Sequence, residues 1–383
     1  MMASSFWSAF RATFRAVFAD RSVVLLLVGA AVLYSFFYPS AYSGEVPEHI
    51  PIAVVDEDNS GLSRAFLVKL GAVQQADIRA RALSGREALQ MMQKREVDAF
   101  VVIPSGFEQS VLRGEAGWVN LYGNGAFLLR SSTSLAGIGA ALGDVGRQAG
   151  LAQAMAQGAP AAAPLDLIQR PLFNTREGYG SAVVPAVTFL IIQQTILMGL
   201  AMLAATLREQ RGPYRFALPS LGGIACAFLV IGLAVVIYWT GFVFWFQDYP
   251  RAGADIVTLL VAALLFVAAT VAAAMALASF LETRERPVQL WIVTSLPIYF
   301  LANLSWPAEA TPQSLVWLGR LLPSTPGIHL MIGINQMGAS LSEQRTEVLN
   351  LLFLILLYGG IAVWRLGTRS PAPLSQAPAS PGQ

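Results

Sequence analysis

Gln193, Gln194 and Thr195 stand together inside a stretch, Ser181–Leu207, that contains no Asp, Glu, Lys or Arg. Two carboxamides and a hydroxyl can donate and accept hydrogen bonds, but at neutral pH they neither carry charge nor relay protons as a carboxylate does. In hydrocarbon such groups turn toward protein or water. They either hold helices together or line a polar path, and the residues alone leave both readings open. Asn303, late in a second charge-free stretch, poses the same choice.

The other near-motifs are ordinary structure. A glycine-rich phosphate loop ends in Gly-Lys-Ser/Thr, and neither lysine of the chain, Lys69 or Lys94, follows a glycine. Any ATP and Mg chemistry therefore belongs to another protein, and no cofactor is expected on this chain. Asp56-Glu57-Asp58-Asn59-Ser60-Gly61 fits the first half of a calcium loop, but Leu67 stands where its bidentate acid belongs. We read it as a turn that caps the next helix. Gly137–Gly143 misses the dinucleotide spacing by one residue and reads as close helix packing. Cys226 is alone, His49 and His329 are far apart in sequence, and no metal site or Ser/His/Asp set is expected. Only 13% of residues are charged and the net charge is +2, so nucleic acid is not an expected partner.

The elements that position these residues follow from six charge-free apolar stretches: Ser22–Tyr38, Ser181–Leu207, Phe216–Gln247, Ile256–Leu281, Pro287–Pro307 and Val348–Trp364. A bilayer core about 30 Å thick takes about 20 helical residues to cross, and a charge at mid-membrane costs about 3 kcal/mol. The stretches are read as six spans. The first has a long leading segment and no small-residue cleavage site, which reads as an uncleaved anchor. Leu321–Leu341 is also charge-free, but Pro323, Pro326, Gly327, Gly333 and Gly338 make it a poor lipid-exposed helix. It is read as a re-entrant or interfacial segment that returns to the outer face.

Basic residues gather on one side. Arg11, Arg15, Arg21, Arg208, Arg211, Arg215, Arg284, Arg286, Arg365 and Arg369 make ten, against five in the opposite loops. The positive-inside rule then places both termini in the cytoplasm and residues 41–180 outside it. Phe6, Phe10, Phe14 and Phe18 recur every four residues, as in an amphipathic helix lying in the interface and touching membrane lipid.

Residues 41–180 read as one mixed α/β domain, with strands at 50–55, 77–83, 97–103, 118–122 and 167–173 and helices between them. Ser60 is a helix N-cap, and Ser84 with Glu87 forms a capping box. The expected fold is an all-α six-helix membrane domain with this α/β domain inserted. Its parts are an interfacial helix (1–21), span one (22–40), the α/β domain (41–180), spans two to six (181–367, the re-entrant segment near 308–341) and a disordered tail (368–383).

Several segments together resemble the membrane subunits of type-two ABC exporters, in the branch with a large external domain after span one. One is Pro51–Ser60, the first strand and turn of that domain. A second is Arg208-Glu209-Gln210-Arg211-Gly212-Pro213-Tyr214-Arg215. The third runs from Ser305-Trp306-Pro307 through Leu322-Pro323-Ser324-Thr325-Pro326 to Asn335-Gln336-Met337-Gly338-Ala339-Ser340 and resembles the family's proline-marked re-entrant segment. The resemblance implies a permease that works as a homodimer or with a sibling. It implies a cytoplasmic ABC ATPase as partner, in the bacterial inner membrane, with export of a small or amphipathic compound. It makes Arg208, Glu209, Arg211, Gly212, Pro213 and Tyr214 the ATPase-coupling loop. Pro213 departs from the Thr common in the family. Gln193, Gln194, Thr195 and Asn303 become the candidate path, and Pro307, Pro323, Pro326 and Gly338 mark the re-entrant segment. A periplasmic adaptor is a further possible partner. The alternative from another class is a receptor or assembly scaffold acting through the α/β domain. The short internal loops offer such a protein no output module.

Overall fold

The computed structural model describes residues 5–44, 46–156, 172–174, 178–251, 253–304 and 306–368. The Ala/Pro loop 158–164, most of the strand expected at 167–173, Arg170, Arg176, Ser305, Arg369 and the tail from Ser370 lie outside the described residues. The chain divides into two compact units, Met1–Ser43 with Pro171–Gln383, and Gly44–Arg170.

Helix α1 (Phe6–Ala19) starts at Ser5, whose hydroxyl accepts from the Ser8 backbone N–H while Ser8 reciprocates. That capping box satisfies two of the donors that a helix start leaves orphaned. Asp20 ends α1 and caps α2 (Arg21–Ala41) by accepting from the Ser22 and Val23 N–H groups. A π-turn interrupts α2 at Leu25–Gly29.

The α/β unit follows the expected order. Strand β1 (Ile50–Asp56) leads to α3 (Gly61–Leu70), β2 (Ala76–Arg81), α4 (Gly85–Gln93), β3 (Ala99–Ile103), α5 (Phe107–Leu112), β4 (Asn120–Gly123) and α6 (Leu128–Ala156). The sheet order is β2-β1-β3-β4, parallel except for β4. Residues Ile52, Val54, Val101 and Ile103 alternate onto one buried face, against Phe66, Leu70 and Ile138. The acidic turn has a positive structural job. Asp58 accepts from the Gly106, Phe107 and Glu108 N–H groups at the start of α5, and Glu108 accepts from Leu62 at the start of α3. Each carboxylate caps the other's helix, where helix dipoles favour negative charge. Ser84 caps α4 as expected, but Glu87 reaches back to the Leu83 N–H and not to that of Ser84.

The remaining elements complete the helical unit: α7 (Tyr179–Arg211), β5 (Phe216–Ala217), α8 (Leu218–Phe246, with a π-turn at Tyr238–Val243), α9 (Ile256–Ala278), α10 (Arg286–Leu301), α11 (Gln313–Arg320), α12 (Ser324–Asn335), α13 (Arg345–Leu366) and β6 (Gly367–Thr368). Helix α7 is the central post. It is buried on nearly every side, whereas the other long helices leave apolar flanks exposed. Small residues set the close approaches, as expected where packing rather than water drives association. A Cβ on Gly232 would come within 2.5 Å of Val267, and one on Gly223 within 2.3 Å of the Phe6 carbonyl. Helix α1 therefore docks on α8 by backbone contact. Its most buried residues are Ala9, Thr13 and Val17, and the phenylalanine stripe flanks that seam instead of forming it.

Among the described residues, five helices are long and apolar enough to cross a bilayer: α2, α7, α8, α9 and α13. The stretch expected as span five is shorter than its sequence suggested. Helix α10 has 16 residues and contains Pro297, a rise of about 24 Å. Helices α11 and α12 are joined by the turn at residues 321–323, where the hydroxyl of Tyr358 in α13 donates to the Leu321 carbonyl at 2.7 Å. At the far end of α12, Gly333 packs on Gln344, just before α13 begins. Gly338, at φ +68, sits where α12 unwinds.

Candidate functional site

One end of the helical unit gathers most of its described basic residues, and there a polar cluster ties together chain segments far apart in sequence. Arg284 donates to both Asp20 carboxylate oxygens at 2.6 and 2.8 Å, and to Thr206 Oγ1 at 2.7 Å. Its backbone N–H donates to Glu209 at 2.9 Å. Arg208 donates to the carbonyls of Leu281 at 2.8 Å and Ser279 at 3.3 Å, and Arg365 donates to the same Ser279 carbonyl at 3.3 Å. Two guanidinium groups thus meet the negative end of the α9 dipole. Arg365 also lies 4.1 Å over the Phe280 ring.

The bidentate pair is part-buried on both sides, and Arg284 beside it holds the Asp20 carboxyl below its usual range. Asp20 fixes the α1–α2 corner, Glu209 and Arg208 the end of α7, and Arg284 the entry to α10. Arg365 fixes the end of α13, and the pairing of Phe216 with Gly367 joins that end to the start of α8. Through Arg208 and Glu209 the polar contacts at the end of α7 reach the end of α9 and the starts of α2 and α10.

The loop itself is built to stay put. Gly212, at φ +74, ends α7, a conformation that suits glycine. Tyr214 folds back so that its buried hydroxyl donates to the Ala204 carbonyl at 2.8 Å, and burial raises its pKa. Glu209, Gln210, Arg211, Pro213 and Arg215 remain exposed around it. Of the residues singled out in the sequence, the structure brings Arg208, Glu209 and Tyr214 into the cluster and leaves Arg211, Gly212 and Pro213 on the loop. Asp20, Arg284 and Arg365 escaped sequence reasoning. Asp20 had one signal, since it is the sole acidic residue among the first 44.

The mid-helix polar residues separate into two places. Gln193 and Gln194 line a cavity of about 320 Å³ with Trp291, Thr294, Pro323 and Tyr358. Both amide atoms of Gln193 and the Nε2 of Gln194 lack a protein hydrogen-bond partner, as do Thr270 Oγ1 and Ser324 Oγ, all of them buried. An unpaired buried polar atom costs about 1–3 kcal/mol, and the rest of the cavity wall is apolar, with Leu197, Met198, Leu277, Phe280 and Ile361 on it. Thr195 instead bonds within its own helix to the Ile192 carbonyl. Asn303 lies beyond the end of α10 at φ +55 and faces Trp306 and Thr311, not the glutamine cavity. Pro307 opens a short turn before α11, and Pro323 and the buried Pro326 begin α12.

Long apolar helices with exposed apolar flanks and a cluster of charged side chains at one end define a multi-pass membrane protein. Residues 21–364 match the family model of the ABC-2 family transporter proteins, and the chain belongs to that family. Permeases of this family generally work with a cytoplasmic ATPase. Searches of curated proteins and of solved structures returned no match.

Proposed function

We propose that the chain is the permease half of an ATP-driven exporter in the bacterial inner membrane. It moves a small or amphipathic compound out of the cytoplasm or its inner leaflet. The basic end faces the cytoplasm with both termini, and the α/β unit lies outside, in keeping with the excess of arginine at that end. Six crossings fit the geometry. Helices α9 and α13 finish at the same end, so the chain between them crosses outward once and α13 brings it back. Helix α10 makes the outward pass despite its length, a mismatch that local bilayer thinning accommodates. Helix α12 is the re-entrant piece, packed against α7, α9 and α13, and α11, with Trp317 and Leu318 exposed, lies at its outer end.

In this reading a separate ABC ATPase binds ATP and Mg and docks on the exposed rim of the 208–215 loop. Its closure moves that loop, and the Asp20–Arg284–Glu209 cluster carries the motion to α2, α7 and α10. The path runs past Gln193 and Gln194 between two permease copies or siblings. Thr195 and Asn303 support helix packing. A periplasmic adaptor would meet the α/β unit. The observation that carries the proposal is the cluster itself, because an exposed loop wired to all these helix ends suits a mechanical input.

Reversing charge at Glu209 and Arg211 together is expected to cut permease-dependent ATPase stimulation about tenfold, the scale of one interfacial charge pair of ~1.4 kcal/mol. Membrane insertion should be unchanged. Full stimulation in the reversed variant would move the docking site elsewhere.

A further inference from the structure

We infer that the hollow beneath α1 is a binding site for an anionic phospholipid of the adjacent leaflet. The hollow measures about 760 Å³, within the range of ligand pockets. Small residues on α1, Ala12 and Ala16, leave the space, and Leu203, Ile224 and Phe228 wall it with hydrocarbon. Its rim is cationic. Arg21 and Arg211 line it, both exposed, and neither makes an ion pair among the described residues. Asp20 is the only acid on the lining, and Arg284 already neutralises it.

The hollow also connects to lipid. Arg21 lines a second groove on the outside of α2 with Leu25 and Val28, which are 69% and 41% exposed. Arg21 is the first residue of a membrane span, which sets it at headgroup level. An acyl chain fills the apolar wall while a phosphate satisfies the two guanidinium groups. An acidic protein segment would answer the charge but leave the hydrocarbon wall uncovered. The inference needs only membrane insertion, not the ATPase docking proposed above, so the two can fail separately.

The test is native mass spectrometry of the full chain in mild detergent, titrated with dioleoyl phosphatidylglycerol or dioleoyl phosphatidylcholine. We expect one phosphatidylglycerol retained per chain, with a preference over phosphatidylcholine of about thirtyfold, the weight of two basic residues near an anionic headgroup. The Arg21→Gln/Arg211→Gln pair should abolish the preference. Ala16→Trp, which fills the space without touching charge, should abolish retention of both lipids. Where that variant loses its monodisperse peak, the smaller Ala12→Leu carries the same expectation. Equal retention of the two lipids by the wild type would overturn the proposal. So would unchanged phosphatidylglycerol retention in both the charge pair and a folded filling variant.

Discussion

Arg284→Ala is expected to lower the unfolding free energy of the detergent-solubilised chain by about 2 kcal/mol. The value falls between a surface ion pair at ~0–1 and a fully buried one at ~3–5, because both partners are part-buried. The substitution removes both bonds to Asp20 and the one to Thr206, and it strands a carboxylate that still caps α2. Asp20→Ala should cost a similar amount, since it loses the pair and the cap together. The double variant should cost clearly less than the sum, the signature of a shared interaction. A sum that is fully additive would mean that the contact contributes nothing. The pH dependence has a fixed sign. Asp20 has a folded pKa below the ordinary 3.8, so the pair's stabilisation is present above that value. It disappears as pH falls through the lowered folded value. The gap between wild type and Arg284→Ala should be flat from pH 7 to pH 5 and close in stronger acid.

Gly327→Ala should be nearly as damaging although it adds one methyl group. A Cβ there would lie 2.2 Å from the ring of Phe266, which is fully buried. Overpacking of this kind costs about 1–3 kcal/mol, and here it pushes α12 away from α9. Because α12 starts beside Pro323 on the glutamine cavity, the variant should also lose most permease-dependent ATPase stimulation. Phe266→Leu in the same chain should restore much of the stability, read as the unfolding midpoint in a denaturing-detergent titration. Failure of that rescue would show that the ring is not what the methyl meets.

What the sequence made visible is what is local. Charge-free length alone marks α2, α7, α8, α9 and α13, since one buried charge would forbid each crossing. Caps such as Ser60 and Ser84 are equally local and stand where the spacing put them. Helix α10 is shorter than the charge-free stretch because Asn303, at φ +55 just past its end, stops it, a local signal that a count of uncharged residues passes over. Thr325 bonds the Leu301 carbonyl left open there. The two-residue strands β5 and β6 carry no periodicity and exist because α8 begins where α13 finishes. The coupling loop was legible as a charged Gly-Pro turn. Its wiring was not, for Asp20 and Arg284 are 264 residues apart and each alone looks like a residue flanking a span. Asn303 was grouped with the glutamines by residue type, and a backbone turn at the end of α10 takes it elsewhere.

Tagged chain, expressed from its native neighbourhood and purified in mild detergent, tests the central claim most directly. The account predicts that a P-loop ATPase co-purifies in equal amount, and that the Glu209/Arg211 reversal lowers its recovery. A complex free of any ATPase that still moves its cargo would contradict it.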